Sequence, residues 1–186
     1  MALRKKQGLP AAWRCPACGG GLEGPVRADL SPVAWHEAGH AVMRWHQGHP
    51  PGALCIHPDG GGYSAPGLPG RVIDRDALLR ITMAGMAGEM GGLPGLDLAA
   101  STSADLEDAR ALLTPEYLAH LRRRGGPRQR TPPEILQDFY EQARTLIWQH
   151  FERVKAVAEA LLEARTLSAH ELQALLGTPP DDDADE

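Results

Sequence analysis

His36-Glu37-Ala38-Gly39-His40 spells an HExxH motif. Residues four apart on a helix lie about 40° apart around its axis, so both imidazoles can point at one metal ion. Glu37 directly follows the first of them, which lets its carboxylate reach a water held by that metal. Zinc lowers the pKa of such a water toward about 7. Glu37 can then take the proton as hydroxide attacks a carbonyl and pass it to the leaving amine. The pattern points to zinc-dependent hydrolysis of a peptide bond, with His36 and His40 as ligands and Glu37 as the catalytic base. The bland alternative is a helix whose two histidines only pack or face solvent. The capping signals and apolar flanks of the segment weigh against it.

A catalytic zinc site needs a third protein ligand and an open fourth position. Three residues compete for the role. His46 lies ten residues after His36, the spacing of the HExxHxxGxxH metalloproteases. That motif breaks the helix with a glycine, and Met43 stands there instead; on an unbroken helix His46 points about 120° away from His40. Glu89 falls on a second helix, where thermolysin-like enzymes carry a carboxylate ligand. Its other reading is an exposed glutamate near a helix C-terminus, which the helix dipole disfavours. Asp105 falls in the first turn of a third helix, where it doubles as a capping-box acid for Thr102. Residue chemistry alone leaves Asp105 and Glu89 level.

A second metal signal lies outside this motif. Cys15-Pro16-Ala17-Cys18-Gly19 looks like half of a zinc ribbon, without a second Cys-x-x-Cys. Cys55 and His57 are two apart and share a face if they lie on a strand. Together Cys15, Cys18, Cys55 and His57 would make a closed structural zinc site. A reactive dithiol, an intermolecular zinc clamp and a metal-free knuckle are the competing readings. Three cysteines cannot all pair within one chain, so no disulfide framework is expected.

The elements that must hold these residues are mostly helical. Ser31 reads as an N-cap and Pro32 as the first helical residue, with Gly48 placed to end the helix after Gln47. Short strands fit residues 53–57 and 62–65, joined by the turn Pro58-Asp59-Gly60-Gly61. A second helix follows Asp74 and runs to about Met90, where Gly91, Gly92 and Pro94 stop it. A third, capped within Ser101-Thr102-Ser103, reaches Leu113, and a short fourth starts at Thr114-Pro115. Apolar residues at helical spacing from Ile135 to Leu162 then predict one long fifth helix, whose stripe needs the earlier helices as its partner surface. Ser168 and Glu171 form a capping box, stapled by Leu167 and Leu172, for a last helix ending at Gly177. The expected fold is a mostly α zinc-metallopeptidase domain over residues 31–177 with a small β element. A poorly ordered segment, 1–30, carries the cysteine knuckle, and a disordered acidic tail, 178–186, follows.

Composition narrows the class further. The 186 residues are 42% hydrophobic with a net charge of −5, which suits a soluble domain and argues against nucleic-acid binding. No stretch approaches the roughly 20 apolar residues that span a bilayer. The opening MALRKKQGLPAAW is basic but lacks the apolar core of a signal peptide. A cytoplasmic protein is therefore expected. None of the three lysines sits in a phosphate-loop frame, so no ATP site is visible. The stretch 122–130, RRRGGPRQR, reads as a solvated loop, or else a contact for an acidic substrate or partner. Trp13, Trp35, Trp45 and Trp148 read as packing residues, Met83, Met86 and Met90 as helix packing, and His49, His120, His150 and His170 as surface residues.

WHEAGHAV, then AGMAGEM, then STSADLEDA resemble the peptidase domain of FtsH-type, membrane-anchored ATP-dependent zinc proteases. The stretch FYEQARTLIWQHFERVKAVAEALLEARTLSAHEL is similar to that family's closing helices, so the resemblance spans about residues 30–176. It implies Asp105 as the third zinc ligand and Glu89 as a group near the metal behind the ligands. It also implies an edge strand at 53–57, beside which a substrate chain lies by β-addition. Homo-oligomeric assembly is a further implication. The departures are an absent ATPase module, absent membrane spans, Met86 for the usual arginine, Gly88 for an alanine, and Cys55-Ile56-His57-Pro58 where the family has an Arg-Gly signature. The expected substrates are peptides or unfolded protein segments, cut without ATP or delivered by a separate partner. Two other readings are a zinc-holding module that binds peptides without cutting and a subunit that docks on a larger protease through its C-terminal helix.

Overall fold

The computed structural model describes residues 14–15, 18–21, 24–65, 73–92, 103–124 and 130–180. Trp13, Pro94, Thr102, positions 125–129 of the basic stretch and positions 181–186 of the tail lie outside them. Helix α1 spans Ser31–His46. Leu30, not Ser31, holds the cap position, and the Asp29 carboxylate accepts the Ser31 backbone N–H at 2.9 Å. Ser31 was a capping signal one residue out of place; the adjacent acid satisfies the free donor instead. At the other end Gly48 adopts φ 67°, which closes the helix as its position predicts.

Helix α2, Arg75–Gly92, starts where the Asp74 carboxylate accepts the Ala77 N–H at 2.9 Å. It continues through Gly91 and Gly92, two residues past the predicted end. Helices α3 (Ser103–Leu112) and α4 (Pro115–Arg124) follow. The predicted fifth helix is two: α5, Pro132–Gln149, and α6, Phe151–Ala164. The break falls at His150, with φ −109° and ψ 23°. It divides the apolar stripe between two partners. Helix α5 packs on α2 and buries Ile135, Leu136, Phe139, Ala143 and Ile147; α6 packs on α1 and buries Val154, Val157, Ala158 and Leu161. That stripe is therefore spent inside the domain, leaving less of it for docking on another protein. Trp148, read as a packing residue, stacks on Phe151 with ring centroids 5.4 Å apart, although it is 55% exposed.

Arg165 turns the chain in the left-handed region, φ 67°, into a strand that sequence reading missed. The sheet has β1 (Leu54–Ile56) at its centre, with β2 (Gly62–Ser64) and β3 (Thr166–Leu167) antiparallel on either side. Strand β1 was expected to be an edge; β3 occupies that side, so β1 has no free edge for a substrate chain. The register pairs Leu54 with Ser64, Cys55 with Tyr63 and Ile56 with Gly62. Alternation puts Leu54 and Ile56 toward the helices and Cys55 on the opposite face. Helix α7, Ala169–Leu176, opens on the predicted Ser168–Glu171 capping box, with Leu167 and Leu172 both buried. The described residues are thus mostly helical with one small antiparallel sheet, and no described helix is long and apolar enough to cross a membrane.

Candidate metal centre

Helices α1 and α2 cross where both are made of small residues. Ala34, Ala38, Ala41, Ala84 and Ala87 are buried there. A Cβ on Gly39 would lie 3.3 Å from Gly88 Cα and collide with the Ala84 carbonyl oxygen; one on Gly88 would strike the Trp35 carbonyl. Backbone therefore meets backbone, and polar groups of α2 reach the histidines of α1 from behind. His36 Nδ1 lies 2.6 Å from the Glu89 carboxylate, and His40 Nδ1 lies 2.7 Å from the Ile81 carbonyl oxygen. Both partners are acceptors, so both Nδ1 atoms carry the proton. Both Nε2 atoms are left to face forward with lone pairs in the neutral rings.

Helix α3 completes the group. Asp105 Oδ2 lies 2.9 Å from His36 Nε2 and 3.2 Å from His40 Nε2, and the two Nε2 atoms are 3.0 Å apart. Three Lewis bases thus converge. Nitrogen and oxygen ligands on a tetrahedral zinc, each about 2.0–2.1 Å from it, stand about 3.3 Å from one another. The observed separations approach that value. Asp105 Oδ2 is buried and makes no well-angled hydrogen bond despite its two close neighbours. An atom so placed is suited to a cation shared by all three groups, and the residues present fit a zinc ion. His36 carries the electrostatic signature of the same need. Burial disfavours its charged form, yet the Asp105 and Glu89 carboxylates, with Glu37 nearby, raise its pKa to about 10. Burial likewise opposes the Asp105 carboxylate, but the two imidazoles hold it well below the usual range. The same charges that favour a proton on His36 would favour a bound cation in its place.

No protein-family model matches this chain, and no curated protein matches it.

Glu37 lies beside the cluster and is 6% exposed. Burial raises its pKa above the ordinary carboxylate range, while the charges of His40 and His36 pull it back. Its ceiling is β2: a Cβ on Gly62 would overlap Glu37 Oε1 and lie 2.7 Å from its Cδ and Cγ. Gly85 does the same for the imidazoles, since a Cβ there would lie 2.6 Å from His36 Nε2 and His40 Nε2. Sequence reading missed Gly62, Gly85 and the Ile81 carbonyl. Glycines in a turn-rich run or a helix carry no local sign of a packing role, and a backbone acceptor carries none at all.

Of the three candidates for third ligand, the structure brings only Asp105 to the Nε2 side. Glu89 sits behind His36 and is 1% exposed. His46 points elsewhere and pairs with His150, Nδ1 to Nε2 at 3.0 Å. His150 is therefore a structural partner of His46, which corrects the expectation that it is a surface residue without a role. The predicted cysteine group also comes together: the donor atoms of Cys15, Cys18, Cys55 and His57 all lie within 4.8 Å of one another. Burial, with Cys15 and Cys18 alongside, pushes the Cys55 thiol up.

Proposed function

We propose that the protein is a zinc-dependent peptidase that hydrolyses peptides or unfolded protein segments without ATP, as the resemblance to FtsH-type peptidase domains implies. The observation that carries this reading is the convergence of His36 Nε2, His40 Nε2 and Asp105 Oδ2 beside a buried Glu37 carboxyl. Bound there, a zinc ion would supply Lewis-acid polarisation of a carbonyl and lower the pKa of water toward about 7. The chain's own groups do the rest. Glu89 and the Ile81 carbonyl fix the tautomer and orientation of the two imidazoles. Glu37 takes a proton from the attacking water and delivers it to the departing amine nitrogen. A buried carboxyl beside a zinc cluster has no use in a module that only grips peptides, which favours the enzyme over the binding reading. Substrate main chain would pair with the outer edge of β2, since β1 is enclosed; among the described residues no strand covers that edge.

The deciding experiment is hydrolysis of an unfolded, fluorescently labelled protein without ATP, comparing wild type with Glu37→Gln. Cleavage by wild type and its loss, by about 100-fold or more, in a variant that keeps its metal is the expected result. If neither cuts while both hold the metal, the chain is a peptide-binding module or awaits a partner that delivers substrate.

A further inference from the structure

We propose that Cys15, Cys18, Cys55 and His57 bind a second zinc ion, in a closed structural centre that clamps the N-terminal turn onto the β1–β2 hairpin. Cys18 Sγ lies 3.2 Å from His57 Nε2 and 3.5 Å from Cys55 Sγ, and Cys55 Sγ lies 3.6 Å from His57 Nε2. Ligands on tetrahedral zinc, with Zn–S about 2.3 Å and Zn–N about 2.0–2.1 Å, stand about 3.6–3.8 Å apart. A disulfide would need sulfurs at about 2.05 Å, and none of the three cysteines forms one.

The backbone is shaped around these sulfurs. Cys15 and Cys18 sit on a tight turn in which Gly19 N–H donates to the Cys15 carbonyl at 2.8 Å and Gly19 adopts φ 72°. Gly20 N–H points at Cys18 Sγ at 3.4 Å, and Arg14 bridges to Gly21 across the turn. The His57 ring fills space that two glycines leave open: a Cβ on Gly20 would lie 2.8 Å from His57 Cε1, and one on Gly61 3.2 Å from His57 Nδ1.

Besides the sulfurs, the described contacts of this segment are hydrogen bonds, such as Gly24 N–H to Asp59 at 3.2 Å and Arg27 N–H to the Pro58 carbonyl at 2.7 Å. Ahead of Leu30, Cys15 is the only buried hydrophobic residue among those described. Where few apolar residues are buried, a bound metal can act as the staple. What the turn covers is the outer face of β1, which explains why Cys55 is 0% exposed on the side of the sheet away from the helices. Four protein donors leave no open position, so this centre serves structure and not hydrolysis. It also sits on the hairpin whose β2 carries Gly62 over Glu37. That last link, unlike the centre itself, rests on the peptidase reading.

The test is metal content and thiol reactivity of the full chain loaded with zinc. Two zinc ions per chain are expected in wild type, one in Cys18→Ser and one in the double variant His36→Ala/His40→Ala. With cobalt in place of zinc, thiolate-to-metal charge-transfer absorption should persist in the histidine double variant and vanish in Cys18→Ser. Should Cys18→Ser fail to fold, wild type alone decides: a mercurial that modifies its thiols should release one equivalent of zinc. A metal content that is the same in wild type and Cys18→Ser, or thiols that react at once without releasing zinc, overturns the proposal. An inactive chain that keeps its thiolate-bound metal counts against a self-sufficient peptidase and leaves this proposal standing.

Discussion

Gly62 on β2 presses its backbone against the Glu37 carboxylate so closely that no side chain fits between them. The strand next to the cluster thus sets where this carboxylate, the proposed base, can sit. In Gly62→Ala the methyl group would occupy the space of Glu37 Oε1, and Glu37, being the flexible partner, would yield. A displacement of about 1 Å at a reacting group costs on the order of 100-fold in rate. If the proposed peptidase activity is present, its turnover should fall by about that factor while zinc content and thermal stability stay near wild type. Unchanged turnover would show that Glu37 works from a different rotamer.

Glu89 would bear on a metal held by His36 without touching it. Its carboxylate accepts from His36 Nδ1 at 2.6 Å and is 1% exposed. Such outer partners commonly change metal affinity 10–100-fold when removed. Glu89→Gln keeps the shape and an acceptor but removes the charge, and places an amide NH2 where Glu89 Oε2 now has no hydrogen-bond partner. Zinc affinity of the histidine site, measured by competition with a chelator, should weaken by roughly 10-fold or more. The cysteine centre should keep its zinc in the same sample.

The α1–α2 crossing sets two effects against each other in Gly39→Ala. Alanine in place of glycine within a helix gains about 1 kcal/mol of propensity. Here the methyl would meet the backbone of Ala84 and Gly88, which cannot rotate aside. Overpacking of this kind costs about 1–3 kcal/mol, and forcing α2 outward also pulls Glu89 from His36. Overpacking should win, so denaturant unfolding should show a less stable protein with weaker zinc binding. A stabilised variant would mean that α2 slides at little cost.

Sequence alone carried the local features furthest. Pro32 and Gly48 bracket α1, and the reciprocal Ser168–Glu171 box marks α7, because caps are written in adjacent residues. The break at His150 was hidden because neither glycine nor proline marks it, and a continuous apolar period masks a change of packing partner. Strand β3 has two residues and exists because Arg165 turns left-handed beside β1; so short a segment has no period to read. HExxH made His36, Glu37 and His40 legible by spacing on one helix. Asp105 and Glu89 are 69 and 53 residues from His36, and no local rule spans such distances. Family resemblance separated their roles, and the structure then brought their carboxylates to opposite sides of the same imidazole.

The His46–His150 pair ties stability to pH at the far end of α1. His150 lies edge-on to Trp45 with ring centroids 5.2 Å apart, and the Arg153 guanidinium covers the other part of that corner, 4.7 Å from the Trp45 ring. Burial, then the neighbouring His46 and Arg153, lower the His150 pKa below its ordinary value of 6.5. The folded protein therefore prefers a neutral ring. Above about pH 6.5 this preference has no cost; as pH falls through the folded-state pKa, the unfolded chain takes up the proton first and stability declines. Urea unfolding at pH 7 and pH 5 should show a steeper acid loss in wild type than in His150→Gln, which cannot titrate. Any loss of bound metal in acid would affect both proteins alike and cancel in the comparison. Equal losses in the two would mean that His150 is accommodated in its charged form, with His46 turned to accept its proton.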